Sequence, residues 1–255
     1  MSNTKTIALN VIKDAVRRKL FYIVFLFGLA VVALSPLLPS FELGLRVQFL
    51  RDISLSLASL FGVVLAAVLS VGQIPGEVSN RTIYNFLSKP LSRVEYFLGK
   101  YLGMLATLIL VLFIMWLEVL ALIYARLHVF TPIITQGFFA IFLECALISS
   151  FCIFLSTFST VPINVFATIL FYVITHIKTG YLHEKLVEGI HGIGRIFSWA
   201  LYYLIPNLEN FNLSQKIGYG KGVSAFFLLR ITGYALLFIL AFLILGYAVF
   251  RRKDL

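Results

Sequence analysis

From Cys145 to Ile177 the chain runs 33 residues without a Lys, Arg, Asp or Glu. A helix needs about 20 apolar residues to cross the hydrocarbon core of a bilayer, so this run is too long for one span. Ser159-Thr160-Val161-Pro162 interrupts it, because proline disfavours helix at the residue before it. The break predicts a fourth span at about Gly137–Phe158 and a fifth at about Val161–Ile177. Similar apolar runs predict the others: Leu20–Leu38, Ile53–Ile74, about Tyr101–Tyr124 and about Val223–Phe250. Composition agrees, with 60% of residues hydrophobic and 13% charged, against about 45–50% and about 25% in soluble domains. A soluble fold of 255 residues has too much exterior to hide that apolar content. An ordinary soluble enzyme, a disordered chain and a disulfide-stapled module are excluded. The expected fold is an all-α polytopic membrane protein with six transmembrane helices.

Six spans place both termini on one side of the membrane. The net charge of +10 comes from 21 Lys+Arg against 11 Asp+Glu. Of the basic residues, 12 fall on short segments of one side: Lys5, Lys13, Arg17, Arg18 and Lys19; Arg81, Lys89, Arg93 and Lys100; and Arg251, Arg252 and Lys253. The positive-inside rule makes that side cytoplasmic. The excess charge then reads as a topology signal and as headgroup contact, and no nucleic-acid partner is expected.

The expected layout is an amphipathic interfacial helix over 1–19, a transmembrane domain over 20–250 and a basic tail over 251–255. The domain carries a cytoplasmic loop 75–97 and an outer loop 178–222. In the first of these, Ile7, Ala8, Val11, Ile12, Ala15 and Val16 line one helical face opposite Lys13, Asp14, Arg17 and Arg18, which suits a membrane surface. The apolar, Arg195-containing stretch Ile190–Pro206 reads as a helix lying on the outer face. No cleavable signal peptide is expected, because no small-residue cleavage site follows the first apolar run.

Catalytic chemistry has no foothold in the sequence. Neither Gly99-Lys100 nor Gly220-Lys221 has the upstream glycine of a Walker A loop, and HExxH, GxSxG and CxxC do not occur. Cys145 and Cys152, seven residues apart on one helix, stand ~10 Å apart along its axis, too far for a disulfide. His176, His183 and His191 gather toward the outer side, but their spacings of 7 and 8 match no standard metal site, and no metal ligand is assigned.

Two other patterns lie inside the spans. Ala58, Gly62, Ala66 and Ser70 form a small-residue stripe at i, i+4 steps, repeated at Gly99 and Gly103. Such stripes let helix backbones approach closely, within one subunit or between two. Glu118, Glu144 and Arg230 are ionisable residues within spans. At 1.5 Å per residue all three fall in the outer half of the bilayer, within ~10 Å in depth. A lone charge there costs ~2.5–3.5 kcal/mol. The expectation is an intramembrane cluster in which Arg230 pairs with Glu118 or Glu144.

The most specific segment is the loop. It reads Glu77, Arg81-Thr82-Ile83, Leu87-Ser88, Pro90, Ser92-Arg93, Glu95, Gly99-Lys100 and Gly103 at fixed spacing. A short amphipathic piece at Thr82–Leu87, stopped by Pro90, suits insertion into another protein's groove. The pattern resembles the loop of permease subunits of ABC type-2 transporters, with Phe86 where a second Leu is usual. The opening Ala8-Leu9-Asn10 and Asp14-Ala15-Val16-Arg17 resemble the entry helix of that family, and Pro206–Asn212 its outer-loop motif. The wording is closest to the permeases grouped with copper-processing systems that mature multicopper enzymes.

The resemblance implies a non-catalytic permease, multi-pass in the inner membrane and carrying no cofactor of its own. It implies two membrane subunits forming the pathway of an exporter. Each would dock a separate cytoplasmic ATPase that binds ATP and Mg. The coupling residues it points to are Glu77, Arg81, Thr82, Ile83, Leu87, Pro90 and Arg93. An intramembrane enzyme and a non-transporting anchor for an assembly factor are the competing classes. Paired-acid or His–acid motifs that would favour the enzyme are lacking, and ATPase stimulation would separate the transporter from both.

Overall fold

A computed structural model describes residues 3–17, 21–34, 43–76, 92–177 and 204–252. Among them, all regular structure is helical. The elements are α1 (Asn3–Arg17), α2 (Phe21–Leu34), α3 (Leu43–Val71), α4 (Arg93–Leu127), α5 (Ile134–Ser156), α6 (Val161–Ile177), a 3₁₀ turn (Leu208–Phe211), α7 (Ser214–Gly218) and α8 (Ala225–Arg251). Four helices, α3, α4, α5 and α8, are long and apolar enough to cross a membrane; α2 and α6 are apolar and shorter.

The breaks follow local chemistry. Ser92 caps α4 by accepting from the Glu95 amide, while the Ser92 amide donates to Glu95 Oε2 at 3.0 Å. This reciprocal pair satisfies two donors that a helix start leaves open. It begins the helix eight residues before the expected Tyr101. At the far end His128 turns left-handed (φ 52°) and its N–H closes on Tyr124 O. Between α5 and α6 the chain turns at 157–160, and Pro162 stands in the first turn of α6, where its missing N–H is harmless. That boundary lies where the sequence places it.

The second span departs from expectation. It starts at Leu43 rather than Ile53, and carries Arg46, Arg51 and Asp52 on helix. α7 and the turn after it pack on α3 at Arg51 and Asp52. A Cβ on Gly218 would stand 3.3 Å from Asp52 Cβ, and one on Gly220 3.2 Å from an Arg51 nitrogen. Gly220 has φ +72°, a conformation that side chains oppose.

The middle of the bundle is α5. Its residues 143–150 are all buried, so no face is left for lipid, as expected of an apolar helix enclosed by others. It packs on α3, α4, α6 and α8. Aromatic rings join α5 to two of these: Phe151 of α5 stacks on Phe171 of α6 at 3.8 Å and meets Phe242 of α8 edge-on. By contrast α8 turns Phe226 (78% exposed), Leu229 (73%) and Ile244 (66%) outward. An apolar face that large belongs against lipid or another apolar surface.

α1 buries part of its apolar face on another helix of the chain. Ile7 and Val11 are each 2% exposed, and α1 packs along α4. The approach is so close that a Cβ on Gly103 would sit 2.7 Å from Val11 Cβ and 2.9 Å from Ala8 O. Leu9 and Asn10 remain on the outer side.

Candidate functional site

The bundle has two chemically distinct ends. One is the end that bears the 77–91 segment. Glu77, Arg81, Thr82, Ile83, Leu87 and Pro90 lie outside the described residues, but the segment's exit is defined. Arg93 Nη1 donates to the Arg251 carbonyl at 2.7 Å, so the start of α4 closes the C-terminus of α8. The buried Lys100 donates to Gln73 Oε1 at 3.2 Å, and Gln73 donates to Leu69 O at the end of α3. Gly103, three residues on, seats α1. The second half of the loop pattern therefore fastens α4 to the ends of α3 and α8 and to α1.

A polar seam continues this end between α3, α5 and α6. Ser156 Oγ donates to the carbonyls of Ser70 and Val71 at 3.3 and 3.2 Å, which the end of α3 leaves open. Asn164 Nδ2 donates to Ser156 Oγ at 2.8 Å and to Cys152 O at 3.0 Å. Thr168 Oγ1 donates to Asn164 Oδ1 at 3.3 Å. Cys145 and Cys152 are free and buried, as their spacing requires.

The stripe Ala58, Gly62, Ala66 and Ser70 is buried inside the subunit. A Cβ on Gly62 would stand 3.0 Å from Cys145 Sγ and 3.4 Å from Ile141 and Leu112. The stripe serves α3 against α5 and α4. Of the two uses open to such a stripe, packing within the subunit is the one seen here.

The other end is hollow. A cavity of about 190 Å³ lies between α3, α5, α6 and the residues of the 3₁₀ turn and α7. Leu55, Ser56 and Ser59 come from α3, Glu144 from α5, Tyr172 and His176 from the last turns of α6, Phe211 and Asn212 from the outer-loop motif, and Leu213 and Ser214 from the start of α7. Glu144 is 2% exposed. Ser59 Oγ donates to its Oε2 at 3.1 Å, and His176 Nε2 faces its Oε1 at 3.5 Å.

The three intramembrane charges do not form a cluster. Arg230 sits on the exposed side of α8 and, among the described residues, makes no ion pair with Glu118 or Glu144. The expected pairing is thus not formed. Equal depth brings charges together only when their helix faces turn the same way, and the long Arg side chain reaches water without a partner. Glu118 lies instead in an apolar groove between α2 and α4, where Gly28 leaves room for it: a Cβ there would be 3.1 Å from Glu118 Oε2. The partners missed by sequence reasoning are Ser59, Tyr172 and His176. Among the described residues no three His, Cys, Asp or Glu side chains come together as metal ligands.

A comparison with curated proteins gave no match. Residues 5–255 match the family model described as ABC-2 family transporter protein. The match is to the family as a whole and does not single out a copper-processing group.

Proposed function

The chain belongs to the ABC-2 family of transporter proteins, and from that premise we propose that it is the permease subunit of an ATP-driven exporter. Two copies form the pathway, with both termini on the cytoplasmic side of the inner membrane. Each copy docks a separate ATPase subunit, which binds ATP and Mg. The docking element is segment 75–97, with Thr82–Leu87 as the inserted piece.

The observation that carries this reading is the fastening of the loop's exit. A docked loop transmits force only if its base cannot swivel. Here the base is tied to three other helices, through Arg93 to the end of α8, Lys100 to Gln73, and Gly103 to α1. A displacement of segment 75–97 would move α4 together with α3 and α8, and so the walls of the bundle. A solvated connecting loop would not need such ties.

The test is co-purification of the full chain with its ATPase subunit. Wild type should retain the ATPase through size-exclusion chromatography. Leu87→Asp should lose it while its own thermal unfolding is unchanged, because the substitution lies outside the apolar helices. Retention of the ATPase by Leu87→Asp would remove Thr82–Leu87 from the interface.

A further inference from the structure

Basic side chains crowd the start of α8. The Lys221 N–H donates to the Lys216 carbonyl at 3.1 Å, so the turn after α7 folds the two lysines toward one another. Lys216 Nζ stands 5.0 Å from the centre of the Phe227 ring, in the first turn of α8. Arg230 lies three residues beyond Phe227 and is its neighbour on the helix surface. Arg51 reaches in from α3: a Cβ on Gly220 would stand 3.2 Å from its Nη1, and its buried Nε has no hydrogen-bond partner among the described residues. Ammonium and guanidinium groups only donate, so the cluster offers donors and no acceptor. Asp52 of α3 and Glu209 of the 3₁₀ turn are the acids of the adjoining elements. Among the described residues neither forms an ion pair with these cations.

The cluster has a fixed level and a fixed frame. At 1.5 Å per residue the 27 residues of α8 span ~40 Å, against ~30 Å for a hydrocarbon core. With its last turn at one surface of the bilayer, its first turn stands among the headgroups of the other. Arg230, five residues in from Ala225, reaches the same level by snorkelling. The turn is held in place by Gln136 of α5, which accepts from the Val223 N–H at 2.8 Å and donates to the Val223 carbonyl at 3.3 Å. Beside the cations α8 turns Phe226 and Leu229 outward, and a Cβ on Gly233 would meet nothing within 4 Å, so a notch continues the apolar face one turn deeper.

Donors above an exposed apolar notch complement a negative headgroup that carries acyl chains. A soluble anion would leave the apolar face unused, and a zwitterionic lipid brings a cation of its own that this cluster repels. We infer that the start of α8 binds an anionic phospholipid, its phosphate on Lys216, Lys221, Arg230 and Arg51 and an acyl chain along Phe226, Leu229 and Gly233. The proposal concerns binding without ATP or the ATPase, so its failure leaves the permease reading intact, and the reverse holds.

The experiment is native mass spectrometry of the full chain in detergent, titrated with dioleoyl phosphatidylglycerol or dioleoyl phosphatidylcholine. Unaltered protein should bind phosphatidylglycerol roughly tenfold more tightly, about the effect of one favourable charged contact. Arg230→Gln should lower that affinity roughly fivefold, and Lys216→Gln added to it should bring it to the level of phosphatidylcholine. Arg252→Gln, the same loss of charge at the opposite end of α8, should leave it unchanged. Equal affinity of the unaltered protein for the two lipids would overturn the proposal. So would an equal effect of Arg230→Gln and Arg252→Gln, which would make the preference one of net charge alone. Displacement of phosphatidylglycerol by an equal concentration of glycerol 3-phosphate would also overturn it, because the acyl chain would then contribute nothing.

Discussion

The two ends of the bundle are built on opposite plans. At the end bearing segment 77–91, short polar contacts link helix ends across the chain: Arg93 to the Arg251 carbonyl, Lys100 to Gln73, and Ser156 to the last carbonyls of α3. At the other end the helices part around a cavity, and one oxygen of its buried Glu144 has no hydrogen bond among the described residues. The difference teaches where rigidity is placed. Backbone groups at helix ends are costly to leave open in a membrane. Closing them against one another makes a stiff base, while side chains around a void can still rearrange.

Glycines give the sharpest contrast. At the fastened end, a Cβ on Gly103 meets α1 backbone. At the hollow end, a Cβ on Gly137 meets the tips of Leu55 and Ile217 at 2.5 and 3.0 Å, both flexible ends beside open space. Gly103→Leu should therefore displace α1 and cost about 3 kcal/mol, read from thermal unfolding in detergent. Gly137→Ala should cost about 1 kcal/mol, since leucine and isoleucine tips can shift. Equal losses would erase the distinction between a stiff end and a yielding one.

The seam between α3, α5 and α6 gives the next effect. Asn164→Ala removes donors to Cys152 O and Ser156 Oγ and leaves buried polar atoms behind. A loss of about 1–2 kcal/mol is expected. Chemical denaturation of the purified chain would measure it. A neutral outcome would mean that aromatic packing alone joins these helices. Ser92→Ala removes the cap of α4 and should cost about 1 kcal/mol. Faster amide hydrogen exchange at 93–97, with the middle of α4 unchanged, would show the effect to be local.

How much of this was legible in the sequence depends on which axis is asked about. The order of the apolar helices and the break between α5 and α6 are legible in the sequence. Pro162 marked the α5–α6 turn, and the apolar runs marked the helices. Rotation about each helix axis was not. Counting along the helices puts Glu118, Glu144 and Arg230 at similar depth, yet their helices turn them to a groove, a cavity and the outside. The partner Glu144 does have was within reach of the same arithmetic. His176 lies 15 residues into α6, at ~22 Å, against ~21 Å for Glu144 counted back from Phe158. A histidine at a span's end attracts less attention than an arginine inside one. The fold-back of α1 on α4 had a signal in Gly103 and in the Ile7/Val11 stripe, but either feature alone also fits a surface helix. The start of α3 is hidden in the sequence because Arg46, Arg51 and Asp52 look like a boundary, whereas α7 and the turn after it pack on Arg51 and Asp52.

Arg230→Ala is the smallest expected effect. With Arg230 on the exposed side of α8 and unpaired among the described residues, its loss should change stability by less than about 0.5 kcal/mol. A loss of 3 kcal/mol or so, the cost of stranding a buried ion partner, would restore the pairing that the structure does not contain.

The most direct test of the central claim, that the fastened end couples this chain to an ATPase, is the rate of ATP hydrolysis by the complex reconstituted in nanodiscs. Arg93→Ala loosens the base of the loop without touching Thr82–Leu87. The account predicts that this variant keeps the ATPase bound but that hydrolysis no longer responds to the membrane subunit, falling to the rate of the ATPase alone. Undiminished stimulation by Arg93→Ala, with the ATPase still bound, would contradict it.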